Sequence, residues 1–166
     1  MPQSLSKILV HFVWSTKHRT PWLQDRDIRQ ELHKYMMGTL KGLECWPLAL
    51  DGVEDHAHFL CRLSRKIKVM DLVEEVKTSS SKWIKLQGAA YRDFHWQAGY
   101  GAFSVSESKR EAVIRYIQNQ EEHHRKIVVQ DEFASCASGT ESKSTSGMFG
   151  TDAAPRWGLW FDIFAA

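Results

Sequence analysis

Cysteine is scarce in this sequence, and its spacing argues against two common kinds of site. The three cysteines are Cys45, Cys61 and Cys136, and no two of them form a CxxC pair. An odd number without metal-ligand spacing indicates neither a disulfide framework nor a cysteine-based zinc knuckle. Such cysteine usage is typical of a reducing compartment, so we expect a cytoplasmic protein.

A large charge excess and a long apolar run are also absent. The formal net charge of +2 is far below that of proteins that bind nucleic acid by charge alone, so any nucleic-acid site has to be local. The apolar run near the N-terminus, "ILVHFVW", contains a histidine and is too short for a signal-peptide core or a membrane span. With 43% hydrophobic residues in a chain of 166, we expect a soluble protein with one main core.

Residue patterning predicts seven elements in the order strand, helix, strand, strand, helix, strand, helix. Strands are predicted at about 7–14, 46–52, 56–63 and 94–106. Helices are predicted at about 25–43, 69–87 and 106–126. The dipeptide Asp51-Gly52 predicts a hairpin turn between the second and third strands.

This order of elements is typical of an α+β fold of the ferredoxin-like (RRM-like) split βαβ type. We expect a mainly antiparallel sheet of four to five strands with helices on one face, plus a C-terminal helix that bears Tyr116. Gly99 and Gly101 in the last strand predict a bulge or a close backbone approach. We assign one domain to residues 1–133, and a flexible Ser-, Gly- and Thr-rich linker with an aromatic C-terminal tail to residues 134–166.

Two histidines one residue apart, His56 and His58, interrupt the apolar third strand in "DHAHFL". In a strand, such residues project to the same face about 6.6–7 Å apart, so their imidazoles can converge on one metal ion. The spacing is equally compatible with two hydrogen-bonded histidines in the core, so both interpretations stay open.

The predicted third helix offers a second pair, Tyr116 and Gln120, within "YIQNQ". Residues four apart lie on one helix face, about 6 Å apart along the axis. Taken alone, a packed tyrosine and an exposed glutamine explain this pair equally well.

Together, in this order of elements, the two pairs resemble the motifs of the HUH-class single-tyrosine transposases of small bacterial insertion sequences, including the relatives associated with repeated extragenic palindromes. The resemblance extends over about residues 4–133, through "SLSKILVHFVWSTKHR", "GVEDHAHFLCRLSR", "WQAGYGAFSVS" and "YIQNQEEHHRK". Several spaced matches in the same order are much more specific than either motif.

The resemblance implies an enzyme that cleaves and joins DNA. His56, His58 and Gln120 would bind a divalent cation, Mg²⁺ or Mn²⁺, and Tyr116 would be the nucleophile. Its attack would leave a 5′-phosphotyrosine link and a free 3′ hydroxyl on single-stranded DNA beside a hairpin end. The family also implies a homodimer, and leaves open whether the tyrosine serves its own subunit or the other one.

Basic side chains are the candidates for contacts with the DNA backbone, because each can neutralise a phosphate. The candidates are Lys17, Arg19, Arg62, Arg65, Lys66, Lys77 and Lys82. We expect about half of them to contact DNA, since a local basic patch is sufficient.

Aromatic and acidic residues complete the set of candidates. Four aromatic residues could stack on bases: Trp14, Trp83, Trp96 and Tyr100. We expect at least two of these four to pack in the core instead. Glu54 and Asp55 precede the third strand and are candidates to orient a ligating imidazole.

Two other functions stay open on the sequence alone. A ferredoxin-like sheet can bind single-stranded nucleic acid without catalysis, and a bound metal can activate water for hydrolysis. A binding module would need neither the cation nor Tyr116, whereas a metal-dependent nuclease would need only the cation.

Overall fold

The computed structural model describes residues 6–120 and has the predicted order of elements. The strands are β1 (Leu9–Ser15), β2 (Trp46–Gly52), β3 (His56–Arg62) and β4 (Gly101–Val105). The helices are α1 (Arg26–Gly42), α2 (Val69–Lys85) and α3 (Arg110–Gln118). The predicted end of the third helix at residue 126 and the predicted tail at 134–166 lie outside the described residues. Between residues 6 and 120, no helix is both long and apolar enough to cross a bilayer.

The four strands form one antiparallel sheet in the order β2-β3-β1-β4. Helices α1 and α2 pack on one face, in a core where Phe12 and Phe59 stack with ring centroids 4.7 Å apart. Helix α3 packs on the other face through Ile117, which shares a second core with Leu9 and Leu60. The α+β fold with helices on one face and an added C-terminal helix is therefore confirmed.

Strand β1 is buried on both faces, because a helix covers each side of the sheet. The predicted apolar side chains Val10, Phe12 and Trp14 face α1 and α2. Ile8, within the strand predicted at about 7–14, lies just before β1 and is 48% exposed. The alternate residues, including His11, face α3 and are buried as well. The centre of the sheet therefore holds polar side chains away from water.

The hairpin between β2 and β3 turns later than predicted. Gly52 pairs with Ala57 inside the ladder, so the dipeptide that was expected to form the turn belongs to β2. The turn is closed by the N–H of Val53, which donates to the carbonyl oxygen of His56 at 3.1 Å. Glycine is required at position 52 because a Cβ there would collide with the carbonyl oxygen of His56.

The last strand is shorter than predicted. Only Gly101–Val105 pairs with β1, while the preceding segment makes one isolated bridge between Thr16 and Trp96. A Cβ on Gly101 would lie 2.8 Å from side-chain atoms of Val13 and Phe103, so side chains rather than a second backbone approach this glycine closely.

Replacing Gly52 with alanine is expected to destabilise the fold by about 1–3 kcal/mol, because the added Cβ overpacks the backbone of the turn. Gly38→Ala is the matched control, in the exposed middle of α1, where no atom lies within 4 Å of the new Cβ. This variant should gain about 0.5–1 kcal/mol, because alanine favours a helix over glycine. Urea unfolding measures both changes, and equal stability of the two variants would contradict the close approach at Gly52.

Candidate active site

His56 and His58 lie on the face of β3 that α3 covers. Both are buried, and their ring centroids are 5.1 Å apart. The intervening Ala57 belongs to the core on the opposite face, as strand alternation requires. The structure thus brings the two imidazoles together in a site shielded from water.

Helix α3 brings Tyr116 to this pair. The Tyr116 ring is half-buried and its centroid is 5.7 Å from that of His58 in the same chain. Gln120 lies just past the end of α3 and is fully buried. Its Nε2 donates to the carbonyl oxygen of Tyr116 at 3.4 Å, and its Oε1 has no hydrogen-bond partner among residues 6–120. A buried amide oxygen without a partner is costly unless something else binds it.

Asp55 holds His56 from the turn before β3. His56 Nδ1 lies 2.6 Å from the Asp55 carboxylate, which also accepts a hydrogen bond from Arg19 Nε at 3.2 Å. Burial opposes ionisation of this carboxyl, but the hydrogen bond from His56 and the charge of Arg19 hold its pKa below the usual value. An ionised Asp55 can accept a hydrogen bond from the Nδ1–H of His56, and in that tautomer Nε2 is the nitrogen suited to a metal. Glu54, the other predicted orienting residue, is exposed on the turn.

His11 is a further polar residue of this face that sequence reasoning did not assign. Its Nε2 lies 3.1 Å from His58 Nδ1, and its ring centroid is 6.1 Å from that of Tyr116. Burial lowers the pKa of His11 to about 4, so the ring is neutral at pH 7. The sequence did carry a signal, a single histidine within the apolar run of β1, but nothing in the run indicates which residues of another strand it meets.

His56, His58 and Gln120 are of the residue types that could hold a divalent cation with an incomplete protein shell. No group of three or more His, Cys, Asp or Glu residues suited to a metal occurs in the described part of the chain. The candidate ligands would supply a mixed nitrogen and oxygen set instead, from the imidazoles of His56 and His58 and from the amide oxygen of Gln120, which has no partner among residues 6–120. Such a set leaves positions for water and phosphate oxygens, which suits Mg²⁺ or Mn²⁺ better than a closed zinc site.

The predicted DNA-backbone contacts divide into two groups. The exposed ones are Lys17, Arg62, Arg65, Lys66 and Lys82, and Lys66 pairs with Glu44 at 2.7 Å. The other two are partly exposed and bind groups of the protein itself: Arg19 binds Asp55, and Lys77 binds backbone carbonyls.

Lys77 joins α2 to the segment before β4. Its Nζ donates to the carbonyl oxygens of Gln97, Ala98 and Gly99 at 2.8, 3.2 and 2.7 Å. It also lies 5.2 Å from the centre of the Trp14 ring. Burial lowers the pKa of Lys77 to about 8, so the side chain is still mainly protonated at pH 7. These contacts point to a structural role.

The four aromatic residues named as candidates for base stacking lie in different environments. Trp14 and Trp96 are buried with ring centroids 6.1 Å apart, so the expectation that at least two of the four pack in the core is confirmed. Trp83 stacks on Tyr35 with ring centroids 5.6 Å apart. Tyr100 lines a cleft of about 480 Å³ beside α2, together with Lys82, Lys85 and His95.

Comparisons with known proteins identify the family to which this chain belongs. Residues 4–120 match the family described as IS200-like transposases. Among curated proteins, no sequence match was found.

Two solved structures share the fold. A candidate transposase from Deinococcus radiodurans R1 is 23% identical, and the match covers 72% of this chain and 95% of that chain with a TM-score of 0.56. The REP-associated tyrosine transposase bound to a REP hairpin is 14% identical, and the match covers 93% of this chain and 98% of that chain with a TM-score of 0.57. At these identities the likeness shows a common fold.

Lys77→Met is expected to lower the free energy of unfolding by about 1–3 kcal/mol, because three carbonyl oxygens lose a charged donor. Lys82→Met is the matched control, since Lys82 is exposed on the same helix, and should change stability by less than about 0.5 kcal/mol. Chemical denaturation at pH 7 compares the two. Equal losses would refute the structural role of Lys77.

Proposed function

The chain belongs to the family of IS200-like transposases and is a transposase, and we propose that it cleaves and rejoins single-stranded DNA beside hairpin ends through a covalent bond to Tyr116. The observation that carries this proposal is the position of Tyr116, whose ring lies 5.7 Å from His58 in a site with a second histidine and a buried amide. A phenol beside potential metal ligands can act as a nucleophile towards phosphate.

The proposed reaction is a strand transfer. The Tyr116 oxygen attacks phosphorus and loses its proton, the bond from phosphorus to the 3′ oxygen breaks, and that oxygen leaves as a 3′ hydroxyl. A 5′-phosphotyrosine bond replaces the phosphodiester, so its energy is kept in the protein–DNA link. Attack by another 3′ hydroxyl then rejoins the DNA and restores Tyr116 without ATP.

His56, His58 and Gln120 would hold a divalent cation, Mg²⁺ or Mn²⁺. When bound there, such a cation withdraws charge from the scissile phosphate and aligns its oxygens. The chain contributes the orientation of these ligands: Asp55 binds Nδ1 of His56, α3 carries Tyr116, and Gln120 follows just past the end of that helix.

Single-stranded hairpin DNA is the proposed substrate. A flexible single strand lets a tyrosine reach a phosphate in line more easily than a stacked duplex does, and the structural relative bound to a REP hairpin supports this choice. The exposed basic residues, Lys17, Arg62, Arg65, Lys66 and Lys82, are the candidate phosphate contacts. The proposal includes assembly as a homodimer, which light scattering of the purified protein would test.

Tyr116→Phe is expected to abolish the covalent protein–DNA adduct, because the variant keeps the ring but lacks the attacking oxygen. Incubation with labelled single-stranded hairpin DNA and Mg²⁺ or Mn²⁺, followed by denaturing electrophoresis, measures the adduct. Tyr35→Phe, on the exposed side of α1, is the matched control and should form the adduct normally.

Three outcomes of this experiment separate the competing functions. An adduct lost only in Tyr116→Phe supports the transposase mechanism. DNA cleavage that survives Tyr116→Phe would refute it and favour a metal-dependent nuclease. Binding of hairpin DNA with neither cleavage nor adduct would favour a non-catalytic binding module.

Gln120→Met tests the proposed ligand set without DNA. The substitution keeps a similar side-chain length, removes a buried oxygen that has no partner within residues 6–120, and also removes the long 3.4 Å hydrogen bond to the Tyr116 carbonyl oxygen, so stability without metal should change by less than about 1 kcal/mol. The stabilisation by Mn²⁺ should fall, because a ligand that binds only the folded state stabilises it by an amount that grows with the logarithm of its affinity. Thermal unfolding with and without Mn²⁺ measures both effects. An unchanged Mn²⁺ shift would remove Gln120 from the ligand set.

A further inference from the structure

We propose that His11 is a positioning residue, which accepts a hydrogen bond from Nδ1 of His58 and so holds His58 in the tautomer that can bind the cation through Nε2. The inference rests on the proposed cation site and adds a residue that does not itself bind the ion. It follows from one contact, the 3.1 Å approach of His11 Nε2 to His58 Nδ1.

If both imidazoles are neutral, a contact at this distance places one proton between the facing nitrogens. If both nitrogens carried a proton, two donors would face each other, and if neither did, two lone pairs would repel. The ring planes of His11 and His58 differ by 23° and their centroids are 5.3 Å apart, which fits two rings that meet edge to edge through these nitrogens.

Only one of the two possible arrangements is compatible with a cation. If His58 donates from Nδ1, its Nε2 carries a lone pair and can be a ligand. If His11 donates from Nε2 instead, a neutral His58 must carry its proton on Nε2 and cannot bind a metal there. A metal-binding His58 therefore requires His11 to be the acceptor.

The surroundings of His11 hold this acceptor in place. His11 lies on a central strand, paired with Leu60 of β3 on one side and with Phe103 of β4 on the other. Its ring lies 6.2 Å from that of Phe103 and 6.1 Å from that of Tyr116, measured between centroids. An acceptor packed on a strand and between two rings loses little entropy in holding its partner.

The arrangement parallels that of the neighbouring ligand. Asp55 accepts from Nδ1 of His56 at 2.6 Å, and His11 would accept from Nδ1 of His58 in the same sense. Both imidazoles would then present Nε2, and each would be oriented by a residue from outside its own strand. Acceptors of this kind set both the tautomer and the direction of a metal-binding histidine.

His11→Phe and His11→Gln separate this role from packing. Phenylalanine keeps a planar ring but cannot accept a hydrogen bond, whereas glutamine carries an amide oxygen on a side chain of similar reach. Titration with Mn²⁺ alone, followed by calorimetry, should show an affinity loss of about 10–100-fold in His11→Phe and partial or full recovery in His11→Gln. Thermal unfolding without metal verifies that both variants fold.

Nitrogen NMR of the metal-free, unsubstituted protein gives a second measurement, which does not depend on the folding of any variant. The ¹⁵N shifts of His58 should report a proton on Nδ1 and a lone pair on Nε2. A proton on Nε2 of His58 would overturn the proposal. Wild-type Mn²⁺ affinity in folded His11→Phe, or equal losses in both folded variants, would also overturn it.

The same measurements distinguish this inference from the proposed function. A Tyr116 adduct together with unaltered Mn²⁺ binding in His11→Phe would leave the transposase mechanism standing and reject the role of His11. Loss of Mn²⁺ affinity in His11→Phe but not in His11→Gln would support that role even if no adduct formed on the DNA used. Absence of Mn²⁺ binding to the unchanged protein would reject it.

Discussion

The antiparallel pairing of β1 with β3 is the constraint on which the site depends. Its register sets Val13 opposite His58 and Ser15 opposite His56, so that all four side chains face α3. A slip of one residue would turn these histidines to the opposite face and into the main aromatic core. Such a slip is unfavourable because it would also move apolar side chains such as Phe59, which is fully buried in the core against α1 and α2, to the other face of the sheet.

The site is therefore a set of polar groups enclosed in a sheet and helix sandwich. Enclosure removes water and strengthens each hydrogen bond, but it penalises any polar atom left without a partner. The nitrogens of His56 and His58 that contact Asp55 and His11 meet this requirement. The amide oxygen of Gln120 has no partner among the described residues, and this observation is the reason for including Gln120 in the proposed cation site.

Local pattern and residue type could be read from the sequence, whereas contacts between residues far apart in the chain could not. The period-two pattern of β1 and the helical pattern of α2 predicted these elements to within about two residues. Lys77 was predicted as a DNA contact from its charge alone, yet its ammonium lies on three backbone carbonyls of a segment about 20 residues away. Charge is readable from sequence, but the acceptors that a charge meets are not.

The sequence by itself determined the order of the elements, the fold class and the pairing of His56 with His58 on one strand face, because these follow from periodicities of two and 3.6 residues. It also carried the family resemblance that the match over residues 4–120 confirms. Only the tertiary structure decided that His11 reaches His58, that Asp55 reaches His56 and that Tyr116 lies beside both histidine strands. These contacts depend on strand register and on the packing of α3 on the second face of the sheet, which no local pattern specifies.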